Sequence, residues 1–135
     1  VVDQFQHWIC SNPDHTSEER AEAWTKIFEP FGNNFTNWSE HPHALENLWQ
    51  KQLHIFEVPF YYIEYGIAQL GAIAVWKNYK DDPEKGLSNY LEALKLGYTK
   101  TIKEIYETAG IEFNFTAAYV KELADFVQKE LDKLD

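Results

Sequence analysis

Cysteine is almost absent: Cys10 is the only one in 135 residues. No disulfide framework and no cysteine-based metal site can be built from a single thiol, and this usage fits a reducing, cytoplasmic setting. Positive charge is also scarce. Twelve Lys and Arg stand against 22 Asp and Glu, a formal net charge of -10 that repels phosphate backbones and argues against a nucleic-acid partner. Long apolar runs are missing as well. The most apolar stretch, residues 59–76, carries Glu64, Gln69 and several tyrosines, so it reads as a buried core helix and not as a membrane span. The chain has no methionine and opens directly on a helical pattern, Val1-Val2-Asp3-Gln4-Phe5. A trimmed initiator and a cut from a longer protein explain that start equally well. No basic region followed by an apolar run suggests a signal peptide.

What is present is hydrophobic and aromatic: 44% and 16% of the residues, enough for one domain over 1–135 with a real core. The punctuation is helical throughout. Phe5, Trp8 and Ile9 recur at helical spacing up to Ser11-Asn12-Pro13. Thr16-Ser17-Glu18-Glu19 has the form of a capping box opening a helix with Ala23, Trp24, Ile27 and Phe28, which Pro30 and Gly32 close. A loop over 33–43 precedes a helix expected from Ala44 to Leu53. His54 to Val58 reads as a break, because Pro59 disfavours helical geometry at Val58. Pro59 would then occupy the first turn of a helix running to about Tyr79. Asp82-Pro83 predicts a helix with Leu87, Tyr90, Leu91 and Leu94 inward, stopped by Gly97. Thr99 is the expected cap of a shorter helix ending at Gly110, and Thr116 of a last one with Val120, Leu123, Leu131 and Leu134 on its stripe. About seven helices and no strand alternation give an all-α fold.

Chemistry concentrates in His54-Ile55-Phe56-Glu57-Val58-Pro59-Phe60-Tyr61-Tyr62-Ile63-Glu64-Tyr65. A histidine in a break precedes a helix with tyrosines at its N-terminal end. On that helix, Tyr61 and Tyr65 would share a side at i, i+4, and Tyr62 and Tyr65 at i, i+3. Phenols stay protonated donors at physiological pH, so such a cluster can bind an anion or a developing oxyanion. On chemistry alone, half-buried packing explains these tyrosines better than a site does.

The same segment resembles the stretch after the metal site in the oligoendopeptidase F branch of the thimet-oligopeptidase family of zinc metallopeptidases. The likeness is nearly unbroken from Gln50 to Trp76. It extends to Asp3-Gln4-Phe5-Gln6-His7-Trp8, Glu18-Glu19-Arg20, Asn89-Tyr90 and Ala109-Gly110-Ile111. The resemblance implies a C-terminal part of a larger helical catalytic domain that hydrolyses short peptides. By position, Tyr65 would donate to the oxyanion and His54 would sit beside it as a second donor or positioner. Tyr62 and Tyr61 would contact the substrate. Zinc, held in the family by a His-Glu-x-x-His helix and a later glutamate, would be the cofactor of the parent enzyme. No His-Glu-x-x-His occurs in this chain, so no metal ligand is assigned, and His41-Pro42-His43 is the only close histidine pair. Where the thimet branch has a glycine-rich loop, Ile55-Phe56-Glu57-Val58 has none. Gly66 and Gly71 are read as close-packing positions. The rival reading is a metal-free helical binding or scaffold domain derived from such a peptidase. In either case aromatic surface left uncovered would favour self-association.

Overall fold

The computed structural model describes residues 1–32 and 35–134; Asn33 and Asn34, within the expected loop, and Asp135 lie outside the described residues. Among the described residues there are eight α-helices and two 3-10 turns and no strand, so the all-α expectation holds. Packing divides the chain, expected as one domain, into two compact units, Val1–Glu64 and Tyr65–Asp135.

The first unit is built around aromatic side chains. Helix α1 (Val2–Ser11) and helix α2 (Ser17–Phe28) form its frame. The capping box at the start of α2 is complete: Glu19 N–H donates to Thr16 Oγ1 at 3.2 Å and Thr16 N–H donates to Glu19 Oε2 at 2.8 Å. Val2, Phe5, Trp24 and Trp49 make the buried core. Phe5 meets Trp24 edge to face at 5.1 Å and Trp49 at 5.4 Å, the arrangement that ring quadrupoles favour. His15 holds the connection between α1 and α2. Its Nδ1–H donates to Asn12 O at 2.5 Å, which leaves Nε2 to accept from Arg20 Nε at 2.9 Å. The Arg20 guanidinium lies 5.6 Å from the Trp49 ring centre, so one cation links the turn to the core.

After a 3-10 turn over Glu29–Phe31, the chain departs from expectation. The single helix expected from Ala44 to Leu53 is two pieces, α3 (Pro42–Glu46) and a 3-10 turn over Leu48–Lys51. Asn47 leaves helical geometry between them at φ -107°, ψ 6°. The expected break at His54 is instead one turn of helix, α4 (His54–Glu57), which ends at Val58, out of helical geometry at φ -139°, ψ 71° before Pro59. Pro59 does not open the next helix. Phe60 has φ 63°, which stops helical propagation, and α5 starts only at Ile63 and runs to Asp81.

The second unit is built around small side chains. It holds α5 from Tyr65 onward, α6 (Pro83–Leu96), α7 (Ile102–Thr108) and α8 (Ala117–Leu131). Asp82 caps α6 through Lys85 N–H, and Thr116 caps α8 through Tyr119 N–H, both as predicted. The cap of α7 is Thr101 in a full capping box with Glu104, not Thr99, whose hydroxyl donates to Leu96 O at the end of α6. Ala74, Gly86, Ala93, Ala109 and Leu123 are buried. Gly86 is the close-packing glycine: a Cβ there would stand 2.8 Å from the Tyr79 backbone. At Gly71 it would meet the Tyr106 hydroxyl at 2.8 Å, whereas at Gly66 it would meet nothing, which corrects the packing role expected for that residue.

Large apolar side chains in this unit stay exposed. Leu87, Tyr90, Leu91 and Leu94, expected inward, are all exposed, Leu94 by 57%. Residues 59–76, expected as a buried core helix, contribute only Ala74 to the interior. Ala68, Trp76, Leu87, Leu94 and Ile105 line an open apolar groove of about 530 Å³. No helix of the described residues is long and apolar enough to cross a membrane.

Candidate active site

The site residues of the first unit are set by α4 and the turn that follows it. His54 occupies the first position of α4 and is half-buried. Its neighbour Ile55 packs on the aromatic core, as does Tyr62, so the segment is tied to that core at both ends. Val58 N–H donates to His54 O at 3.1 Å, Tyr61 N–H to Val58 O at 3.1 Å, and Glu64 N–H to Tyr61 O at 3.0 Å. This chain of turns brings both tyrosines back over the histidine. The Tyr61 ring stacks on the His54 imidazole at 6.3 Å and 10°, and Tyr62 meets it edge-on at 5.4 Å and 85°.

His54, Tyr61 and Tyr62 are therefore gathered at one turn. The i, i+4 relation expected for Tyr61 and Tyr65 does not apply, because Tyr61 and Tyr62 precede α5 and only Tyr65 stands on it. Tyr61 and Tyr65 are about half exposed, which suits side chains that meet a ligand. Two polar rings and an imidazole at one surface can donate to a peptide carbonyl or carboxylate and stack on its flat groups.

Sequence reasoning passed over His7 and Phe60. The Phe60 ring lies 4.9 Å from the His7 imidazole, tilted by 49°. A left-handed phenylalanine carries no sequence signal, since glycine and asparagine are the residues that announce that geometry. The histidine spacing in Asp3-Gln4-Phe5-Gln6-His7 did hold a clue: His7 Nε2 is 3.6 Å from Asp3 Oδ2, one turn away on α1.

Two further histidines lie at α3. His43 Nδ1 pairs with Glu46 Oε2 at 2.8 Å on the exposed face of α3, and His41 precedes that helix. Among the described residues, no three His, Cys, Asp or Glu side chains gather where they could hold one ion. The donor set present does not fit a zinc site, and none of these side chains is assigned to zinc.

The helical fold has a counterpart among solved structures. A crystal structure provisionally assigned as an oligoendopeptidase F matches with a TM-score of 0.85 and 30% identity over 99% of this chain. The present chain spans 24% of that chain's length. The model of Peptidase family M3 matches residues 1–125, and the chain belongs to that family. No curated protein matches the sequence.

Proposed function

We propose that this chain supplies the substrate-facing, oxyanion-stabilising part of a zinc-dependent oligoendopeptidase that hydrolyses short peptides. Family membership over residues 1–125 supports the peptidase class. The observation that carries the finer reading is the packing of the Tyr61 and Tyr62 rings against His54, in the segment most like oligoendopeptidase F. In this reading the zinc ligands come from polypeptide outside these 135 residues.

The chain's own residues act on the carbonyl under attack. Charge collects on the carbonyl oxygen as the tetrahedral centre forms, and the Tyr65 hydroxyl donates a hydrogen bond to it. A donor already in place costs no reorganisation at that moment, which is why such bonds favour the transition state over the ground state. His54 acts as a second donor or as the support that orients the phenols. Tyr61 and Tyr62 contact the peptide substrate. In the zinc-bearing enzyme, Tyr65→Phe is expected to lower kcat by roughly 100- to 1000-fold with a smaller change in KM. An unchanged kcat would overturn the assignment of Tyr65.

A further inference from the structure

Phe60 is the one non-glycine among the described residues with a left-handed backbone, φ 63°. That geometry is uncommon for a bulky side chain and persists only where the surroundings over-determine it. Here they can be named. Backbone bonds from Val58 N–H to His54 O and from Tyr61 N–H to Val58 O close the turn on both sides of Pro59-Phe60. The Phe60 ring rests against His7, which projects from α1, and α1 is fixed by Val2 and Phe5 in the buried core. The imidazole of His7 is also within 3.6 Å of the Asp3 carboxylate. The strained residue is thus anchored to a helix that cannot easily move. The next two residues along the chain are Tyr61 and Tyr62.

We infer that His7 and Phe60 are positioning residues: their ring contact holds residue 60 left-handed and so sets the directions in which Tyr61 and Tyr62 leave the turn. The inference rests on the reading of those two tyrosines as substrate contacts. Relaxation of residue 60 to negative φ would redirect the chain entering Tyr61 and swing both rings off their places on His54. A misplacement of about 1 Å can cost on the order of 100-fold in rate.

Steady-state kinetics of the full-length enzyme on a short quenched-fluorescent peptide test this, with His7→Ala, His7→Phe and Phe60→Gly as variants. His7→Ala should lower kcat/KM by roughly 10- to 100-fold, carried mainly by KM, because the residues it misplaces bind substrate. His7→Phe keeps a ring against Phe60 and should recover most of that loss. Phe60→Gly accepts the left-handed backbone without strain, so it should fold, yet it lacks the ring and should show the same rise in KM. A contact that only stabilises the fold would shrink the active fraction, lowering apparent kcat at constant KM, and that pattern overturns the inference. Wild-type kinetics in His7→Ala or Phe60→Gly overturn it too. The underlying reading of the two tyrosines is checked separately by Tyr61→Ala and Tyr62→Ala. If both leave kcat and KM unchanged, the site and its positioning device fall together. If they impair the enzyme while His7→Ala does not, the positioning device alone falls.

Discussion

The two units of this chain solve the same packing problem with opposite materials. Val1–Glu64 buries large rings, Phe5, Trp24 and Trp49, around one centre. Tyr65–Asp135 buries mostly alanine and glycine where its helices approach closely, and leaves Leu87, Leu91, Leu94 and Ile102 exposed. A core of large side chains draws its stability from the area and contacts of each ring, so single truncations weigh heavily. A core of small side chains draws it from the closeness of backbones, so single additions weigh heavily. The first unit should be sensitive to losing atoms and the second to gaining them.

The largest expected effect is Phe5→Ala, which empties the centre of the aromatic cluster. Truncation of a fully buried phenylalanine costs about 3–5 kcal/mol, a large part of a typical domain's stability. Chemical denaturation of the variant measures it, and a loss below about 1 kcal/mol would break the contrast. Next comes a pair of opposed glycine substitutions. Gly86→Ala drives a methyl into the Tyr79 backbone and should cost about 1–3 kcal/mol. Gly66→Ala, also on a helix but facing open space, should stabilise by about 0.5–1 kcal/mol. Results of opposite sign from thermal melts would sharpen the rule for the second unit.

The smallest effect is electrostatic. Hydrogen bonds from Lys133 and then Lys80 hold the Glu130 carboxyl below its ordinary 4.5, and those from the Thr101 backbone and hydroxyl do the same for Glu104. A depressed carboxyl stabilises the fold above its unfolded value and loses that contribution as pH falls through its folded value. Melting temperature should therefore decline below about pH 4.5. Glu130→Gln should flatten that decline, as circular dichroism melts across pH would show. The Lys80–Glu130 pair at 2.8 Å joins α5 to α8, so the effect belongs to the second unit.

How far the fold could be read from the sequence follows from the same contrast. Caps were legible because they are local: Thr16, Asp82 and Thr116 need only the residues three positions on to complete their bonds. Phe5 and Trp8 on α1 and Trp24 on α2 were legible as apolar faces because each fits the helical spacing of its own segment. The inward stripe read for α6 was not sound, because spacing shows which residues share a face and not whether another element covers it. Gly86 was missed for a related reason, since its contact is with Tyr79 on another helix. At the candidate site, His54, Tyr61 and Tyr62 were singled out by residue type and family resemblance. Their actual geometry was hidden by Phe60, whose left-handed backbone turns a predicted helix start into a tight turn.

The aromatic core of the first unit also has an optical consequence. Four of the five tryptophans, Trp8, Trp24, Trp38 and Trp49, lie in that unit, and Trp24 and Trp49 are buried. The second unit has only Trp76, 39% exposed and set edge-on to Phe126 at 4.8 Å. Intrinsic emission of the chain is therefore chiefly a gauge of the first unit. A denaturation curve followed by fluorescence alone would pass almost unmarked over a melting of α6, α7 and α8, and comparison with helical ellipticity would bring that second event to light.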